Sequence, residues 1–185
     1  MDVLETRSAR VSRDPVVLDD GRTVHLRLLG AADAAALASA IQSEDRVDLH
    51  RRFLGTPPPI RMLVAQLCAA DDVHDLPIGA YDDGGNLVGV AQFDRRDGRP
   101  EAEVALEVAH PWQRAGLGRI LLDRLAAEAQ ARGIQVVNAT FFADNTGIRK
   151  LLSGMGTVLN ASTSFGIASM RIDIRTGSPL AIPVP

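Results

Sequence analysis

The chain has 185 residues, enough for one domain with a substantial core. Apolar residues make up 46% and charged residues 23%, the balance of an ordinary globular fold, and a net charge of -3 gives no general attraction to nucleic acid. One cysteine, Cys68, excludes an internal disulfide framework and makes a reducing cytoplasm the expected setting.

The opening residues MDVLETRSARVSRDP are polar and lack the apolar centre of a signal peptide. A flexible segment is expected over residues 1–20. RTVHLRLL alternates, with Val24, Leu26 and Leu28 on one face, and predicts the first strand. The Ala-rich run AADAAALASAIQ predicts a helix. SEDRVDLHRRFL predicts a second, with Ser43 as its cap, and the prolines of TPPP end it. IRMLVAQLCAA predicts a third, with Cys68 as a small buried hydrophobe. DLPIGAYDD and NLVGVAQFDRR flank Gly84-Gly85 and predict a hairpin. RPEAEVALEVA predicts a further strand, with Glu103, Ala105 and Glu107 on one face and Val104, Leu106 and Val108 on the other. A helix is expected to about Arg132, capped by Gly133. IQVVNATFF has the near-continuous apolarity of a central strand. NTGIRKLLSGMG predicts a short helix with Asn145 as its N-cap, and Thr157–Ile174 a closing hairpin about Ser164-Phe165-Gly166. The class expected is α/β (α+β): a mixed, mostly antiparallel sheet of six or seven strands with helices on both faces, forming one domain over residues 21–175. Residues 176–185 form a Pro-rich, extended tail whose apolar side chains point to a homodimer contact. No apolar run approaches the ~18 residues that cross a membrane.

The stretch HPWQRAGLGRILLDRLAAEA, His110–Ala129, places two glycines and two arginines at a helix start. A helix N-terminus offers unpaired N–H groups and the positive end of the dipole. A backbone run Gln113, Arg114, Ala115, Gly116, Leu117, Gly118, Arg119 between strand and helix can wrap such groups round a phosphate or pyrophosphate. Gly116 and Gly118 permit close approach, and Arg114 and Arg119 add charge suited to phosphate. The spacing is neither that of a P-loop nor that of the dinucleotide fingerprint. The four histidines, His25, His50, His74 and His110, are scattered without metal-ligand spacing, so no metal is expected.

Gln113-x-x-Gly116-x-Gly118 resembles the coenzyme A loop of the GNAT superfamily of N-acyltransferases. The order of strands and helices from Arg22 to Ile174 is similar to the GNAT plan, with AEVALEV as its fourth strand and DNTGIRKLLSGMG as its last helix, where Asn145 and Gly156 fall at the matching spacing. The N-terminal half resembles the bacterial protein-lysine acetyltransferases of the Pat type, with Arg52 and Phe53 of LHRRFLG at the matching positions. The resemblance implies acetyl-CoA as cosubstrate and a protein lysine as acceptor. It implies pantetheine partners on the strand backbone at Leu106 and Val108, and a hydrogen bond from Asn145 to the same arm. It implies Glu103 of the Ala-Glu-Val segment as general base, with partial burial expected to raise its basicity. Glu107 is the alternative, and a reaction with no side-chain base is a third. Many GNAT enzymes carry a Tyr acid on the last helix where this chain has Leu152, and the only tyrosine is Tyr81 on an early strand. Control by a cyclic-nucleotide domain ahead of the transferase is expected to be absent. Two further readings stay open on the same scaffold: acetylation of a small amine, and a non-catalytic acyl-CoA-binding sensor.

Overall fold

The computed structural model describes residues 15–43, 50, 53–71, 74–96 and 99–176. One eight-stranded sheet runs in the order β1-β2-β3-β4-β5-β6-β8-β7. Its strands are β1 Val16–Val17, β2 Thr23–Leu28, β3 Asp75–Tyr81, β4 Leu87–Asp94, β5 Glu101–Val108, β6 Val136–Phe142, β7 Thr157–Ser164 and β8 Ile167–Asp173. Every neighbouring pair is antiparallel except β5 and β6. Four α-helices lie among the described residues: α1 Ala34–Ser43, α2 Ile60–Cys68, α3 Leu117–Ala131 and α4 Thr146–Ser153. The helix expected over SEDRVDLHRRFL lies largely outside the described residues, and Arg52 with it. Phe53 is described and packs against the α1–α2 core.

The helices divide between the two faces, and β4 shows how. A Cβ at Gly89 would touch Leu121 and Leu117 of α3. The next side chain, Val90, joins the cluster of Leu37, Ile41, Leu63 and Leu67 from α1 and α2. Successive strand residues point to opposite faces, so β4 is sandwiched. α3 buries Leu117, Leu121, Leu122, Leu125, Ala126 and Ala129, a stripe at helical spacing. Gly133 ends it at φ +75°. α1 and α2 pack on β3 and β4, and α1 also lines a pocket with Glu107 of β5. All eight residues of the edge strand β7 are exposed.

Two expectations need correcting. The polar N-terminal segment gives way before residue 20: Val16 and Val17 pair with Val24 and Thr23 of β2, and Leu18 is buried in the core. The sheet has eight strands, because this two-residue strand is too short to leave a periodic signal.

Tyr81 is a structural residue. Its hydroxyl donates to Oδ1 of the buried Asp33 at 2.9 Å, and Arg27 lies 3.9 Å from its ring centre while pairing with the same carboxylate. Asp33 also accepts the Gly30 N–H at 2.9 Å, which sets the entry to α1. Burial pushes the phenol far above its ordinary range.

A strained acid sits at the start of β3. Asp75 stands opposite Asp94 of β4, and its Oδ1 is buried without a hydrogen-bond partner. Burial, then the charges of Asp94 and Asp71, push its carboxyl up to about 6. The fold therefore holds the Asp75 proton more tightly than the unfolded chain does. The contribution of this group to stability is most favourable below the unfolded value near 4, falls as pH rises from about 4 to 6, and stays reduced above. Asp75→Asn is expected to stabilise the protein by about 1–3 kcal/mol at pH 7.5 and by almost nothing at pH 4. Urea denaturation at the two pH values checks this; an equal shift at both would show that the charge is not the cause.

Candidate active site

The site forms where the sheet comes apart. β5 and β6 share three rungs, Glu101 with Val136, Ala102 with Val137 and Glu103 with Asn138. Beyond Glu103, β5 stays paired with β4 as far as Val108, and β6 stays paired with β8 as far as Phe142. Ala109 donates its N–H to the Val88 carbonyl of β4 at 3.0 Å. By alternation along an antiparallel pair, the N–H and C=O groups of Leu106 and Val108 point the other way, into the opening. The Val108 carbonyl accepts Nε2 of Gln113 at 3.0 Å, so that side chain braces the strand end. Both strands are parallel, so their carboxyl ends open on one rim, the usual place for a ligand in such a sheet.

The rim is completed by the loop into α3. A 3-10 turn over His110–Trp112 contains Pro111. The backbone then passes through two left-handed residues, Arg114 at φ +62° and Gly116 at φ +85°. A left-handed arginine costs on the order of 1–3 kcal/mol, a strain characteristic of functional loops. The Gly116 carbonyl accepts the N–H of both Arg119 (3.0 Å) and Ile120 (3.2 Å). The five preceding N–H groups, Arg114 to Gly118, have no partner among the described residues. Such a run at a helix N-terminus is an anion nest.

The two glycines serve different purposes. Gly116 supplies the left-handed turn, and Asp19 lies where its Cβ would be, with Oδ2 at 2.9 Å. Gly118 lets three elements meet: a Cβ there would lie 3.1 Å from Leu151 of α4 and 3.4 Å from Leu106 of β5. Ala115 is buried, and its carbonyl accepts the Asp19 N–H at 3.2 Å. Leu117 is fully buried beneath the loop.

Arg114 is exposed and pairs with no carboxylate among the described residues. Arg119 departs from expectation. Its Nε lies 2.8 and 2.7 Å from the two oxygens of Asp123, one helical turn on, and its guanidinium lies against Gly154. The Asp123 side chain is only 8% exposed and holds this cation in place. The N–H of Arg119 is spent on the Gly116 carbonyl and its Nε on Asp123, so neither is offered to a ligand.

Asn145 follows β6 on the opposite bank. Its Oδ1 accepts the Ile148 N–H at 3.1 Å and caps α4. Leu152 is buried at 2% exposure and is part of the core. The ring of His50 stacks on Phe142, at the end of β6, with centroids 5.4 Å apart.

Glu103 sits on the last shared rung, between Asp94 and Asn138. Leu106 and Val108 face α3, so Glu103 points to the opposite face. It is exposed, against the expectation of partial burial, because the core formed with α1 and α2 lies over β3 and β4 and not over the Glu103 end of β5. Glu101, two residues earlier, pairs with Arg171, which holds its carboxyl below the ordinary range, and accepts Nδ2 of Asn138 at 3.4 Å. Glu107 is half-buried and lines a separate pocket with Leu37, Ile41 and Val90. Cys68 is half-buried, and burial raises its thiol. His25 and His74 pair with Asp83 and Asp71, and no cluster suited to a metal occurs among the described residues.

Sequence reasoning missed the N-terminal turn at this rim. Besides Asp19, Arg22 lies 4.0 Å from the Trp112 ring centre while paired with Asp20. LDDGR carries no pattern that would have located it there.

A family model described as the acetyltransferase (GNAT) family matches residues 43–156. Acetyltransferase Pat of Mycolicibacterium smegmatis is 26% identical over 170 residues, covering 90% of this chain and 50% of that protein. The chain thus spans about half the length of this relative. The crystal structure of the GNAT domain of S. lividans PAT superposes with a TM-score of 0.77 at 26% identity, covering 86% of this chain and 96% of that one. The structure of yncA from Salmonella typhimurium, solved with its cofactor acetyl-CoA, has a TM-score of 0.66 at 24% identity, covers 84% of this chain and 96% of that one, and shares the fold.

The Arg119–Asp123 pair generates a prediction. Arg119→Ala leaves a mostly buried carboxylate without its partner and is expected to cost about 1–2 kcal/mol of stability, with pyrophosphate affinity changed less than about twofold. Thermal melts and titration with inorganic pyrophosphate check both parts. A large loss of affinity would return Arg119 to the nest.

Proposed function

This chain belongs to the GNAT acetyltransferase family, and from that premise we propose that it transfers the acetyl group of acetyl-CoA to a protein lysine, with Glu103 as general base. One observation supports the cosubstrate most directly. The anion nest Arg114–Gly118 lies on the same rim as the opening between β5 and β6, so a ligand with a pyrophosphate and an amide-bearing arm meets donors along its whole length. The unpaired N–H groups of the loop and the left-handed turn at Gly116 support such a ligand.

Acetyl-CoA supplies the activated acyl group. In this reading the N–H groups of Arg114, Ala115, Gly116, Leu117 and Gly118 hold the pyrophosphate, and the exposed Arg114 adds charge. The backbone of Leu106 and Val108 takes the arm as an added strand takes its neighbour, and a strand N–H polarises the thioester carbonyl. Asn145 binds the arm from the α4 side through its Nδ2, since its Oδ1 already caps that helix. The amine approaches on the face opposite α3, where Glu103 accepts its proton directly or through one water. The lysine acceptor rests on the likeness to the Pat enzymes and on the exposure of Glu103, beside which a side chain from another protein can be presented.

Calorimetry with acetyl-CoA is expected to show binding that Gly116→Glu abolishes, with the fold checked by circular dichroism because that side chain would also meet Asp19. Glu103→Gln is expected to lower kcat at least about tenfold while the Kd for acetyl-CoA stays within about twofold. Unchanged turnover would remove Glu103 from the mechanism. Acetyl-CoA bound without turnover on any lysine or small amine would favour a sensor.

A further inference from the structure

The pyrophosphate nest already has an anion beside it, contributed by a distant segment. Leu18–Arg22 forms a turn closed by the Leu18 N–H to Arg22 C=O and Gly21 N–H to Leu18 C=O bonds, at 2.8 and 2.9 Å. It is fixed to the loop at three places. Leu18 is buried in the core, the Asp19 N–H donates to the Ala115 carbonyl, and Arg22 stacks on Trp112. These ties leave the Asp19 carboxylate against the α-carbon of Gly116, with Oδ2, Cγ and Oδ1 at 2.9, 3.2 and 3.4 Å from the Cβ position that the glycine leaves vacant. No N–H of the nest is spent on it among the described residues, so the donors stay open with a full negative charge at their rim. Asp20, its neighbour, is neutralised by Arg22 at 2.6 Å, whereas no cation pairs with Asp19 among the described residues. Two cations lie near the rim, Arg22, which is paired with Asp20, and the exposed Arg114.

We propose that Asp19 is an affinity-setting residue for the acyl-CoA site: a resident counter-anion that stabilises the free loop and opposes the incoming pyrophosphate. This rests on the acetyl-CoA reading above. With the ligand absent, a carboxylate at the N-terminus of α3 is favourable, because it answers the positive end of the dipole. With the ligand present, the same carboxylate stands within a screening length of about 8 Å of a group of like charge. One charge therefore acts with opposite signs on the two states. It favours the free protein, weakens the complex and eases release of the spent cosubstrate. A neutral residue of the same shape keeps the main-chain bond to Ala115 and removes only the charge.

Asp19→Asn is expected to tighten acetyl-CoA about three- to tenfold in calorimetry and to lower the melting temperature of the free protein. Inorganic pyrophosphate should tighten in parallel, since the effect acts on that group. Asp20→Asn makes the same change in net charge on the same turn, but away from Gly116, and is expected to move either Kd by less than about twofold. Asp19→Ser serves as the second neutral variant if the first does not fold. Unchanged or weaker binding in the neutral variants, with acetyl-CoA still binding the native protein, would overturn the role of Asp19 alone. No binding of acetyl-CoA or pyrophosphate to native protein or variants would overturn both this role and the acetyl-CoA reading.

Discussion

A ladder that stops after three rungs governs the rest of this structure. β5 and β6 are the sheet's one parallel pair, and each is held more firmly by its other neighbour: β5 by β4 over six rungs, β6 by β8 over seven. Past Glu103 the two strands follow those stronger partners and diverge. A sheet interior does not leave backbone N–H and C=O groups idle without cost, since each needs water or another partner. The groups of Leu106 and the N–H of Val108 are therefore available to anything that can lie alongside a strand, while the Val108 carbonyl holds Gln113.

What borders that gap follows from the same geometry. The crossover from β5 to β6 must leave the carboxyl end of one strand and come back to the sheet to start the other, and α3 is that crossover. Its N-terminus is therefore delivered to the rim with its N–H groups uncovered. Gly118 then sets how close α3 can come to β5 and α4. The Arg119–Asp123 pair, one turn further on, secures a buried acid inside the helix. Charge and strain at the loop are thus arranged separately: the backbone presents donors, the exposed Arg114 carries the free cation, and Asp19 sets the opposing charge.

Local signals were legible in the sequence, and tertiary ones were not. The capping pattern at Asn145 and Gly133 as the end of α3 each depend on a few contiguous residues, and each appears as read. The alternation in β5 correctly separated Glu103 from Leu106 and Val108. The burial of Glu103 was misjudged, because apolar neighbours along a strand say nothing about whether a helix covers its polar face. The partner of Arg119 sits at helical spacing and could have been anticipated from the i, i+4 rule. The contact between Asp19 and Gly116 joins residues almost a hundred positions apart, and no periodicity encodes it. The short β1 left no signal either, since two residues have no period.

The exposure of Glu103 bears on how such a site could work. A carboxylate buried in advance would face neutral walls and carry its desolvation cost whether or not substrate is present. Here Glu103 is exposed, with Asp94 on one side and Asn138 on the other, and with Glu101 occupied by Arg171. In the reading proposed, the walls are supplied by the reactants: the acyl arm fills the gap between β5 and β6, and the acceptor covers Glu103. Water is then excluded only when both are in place, which confines proton transfer to the complete assembly. The absence of an acid at Leu152 fits this division, because the thiolate would leave toward the solvent-lined rim, and no side chain of the buried α4 face stands ready to protonate it.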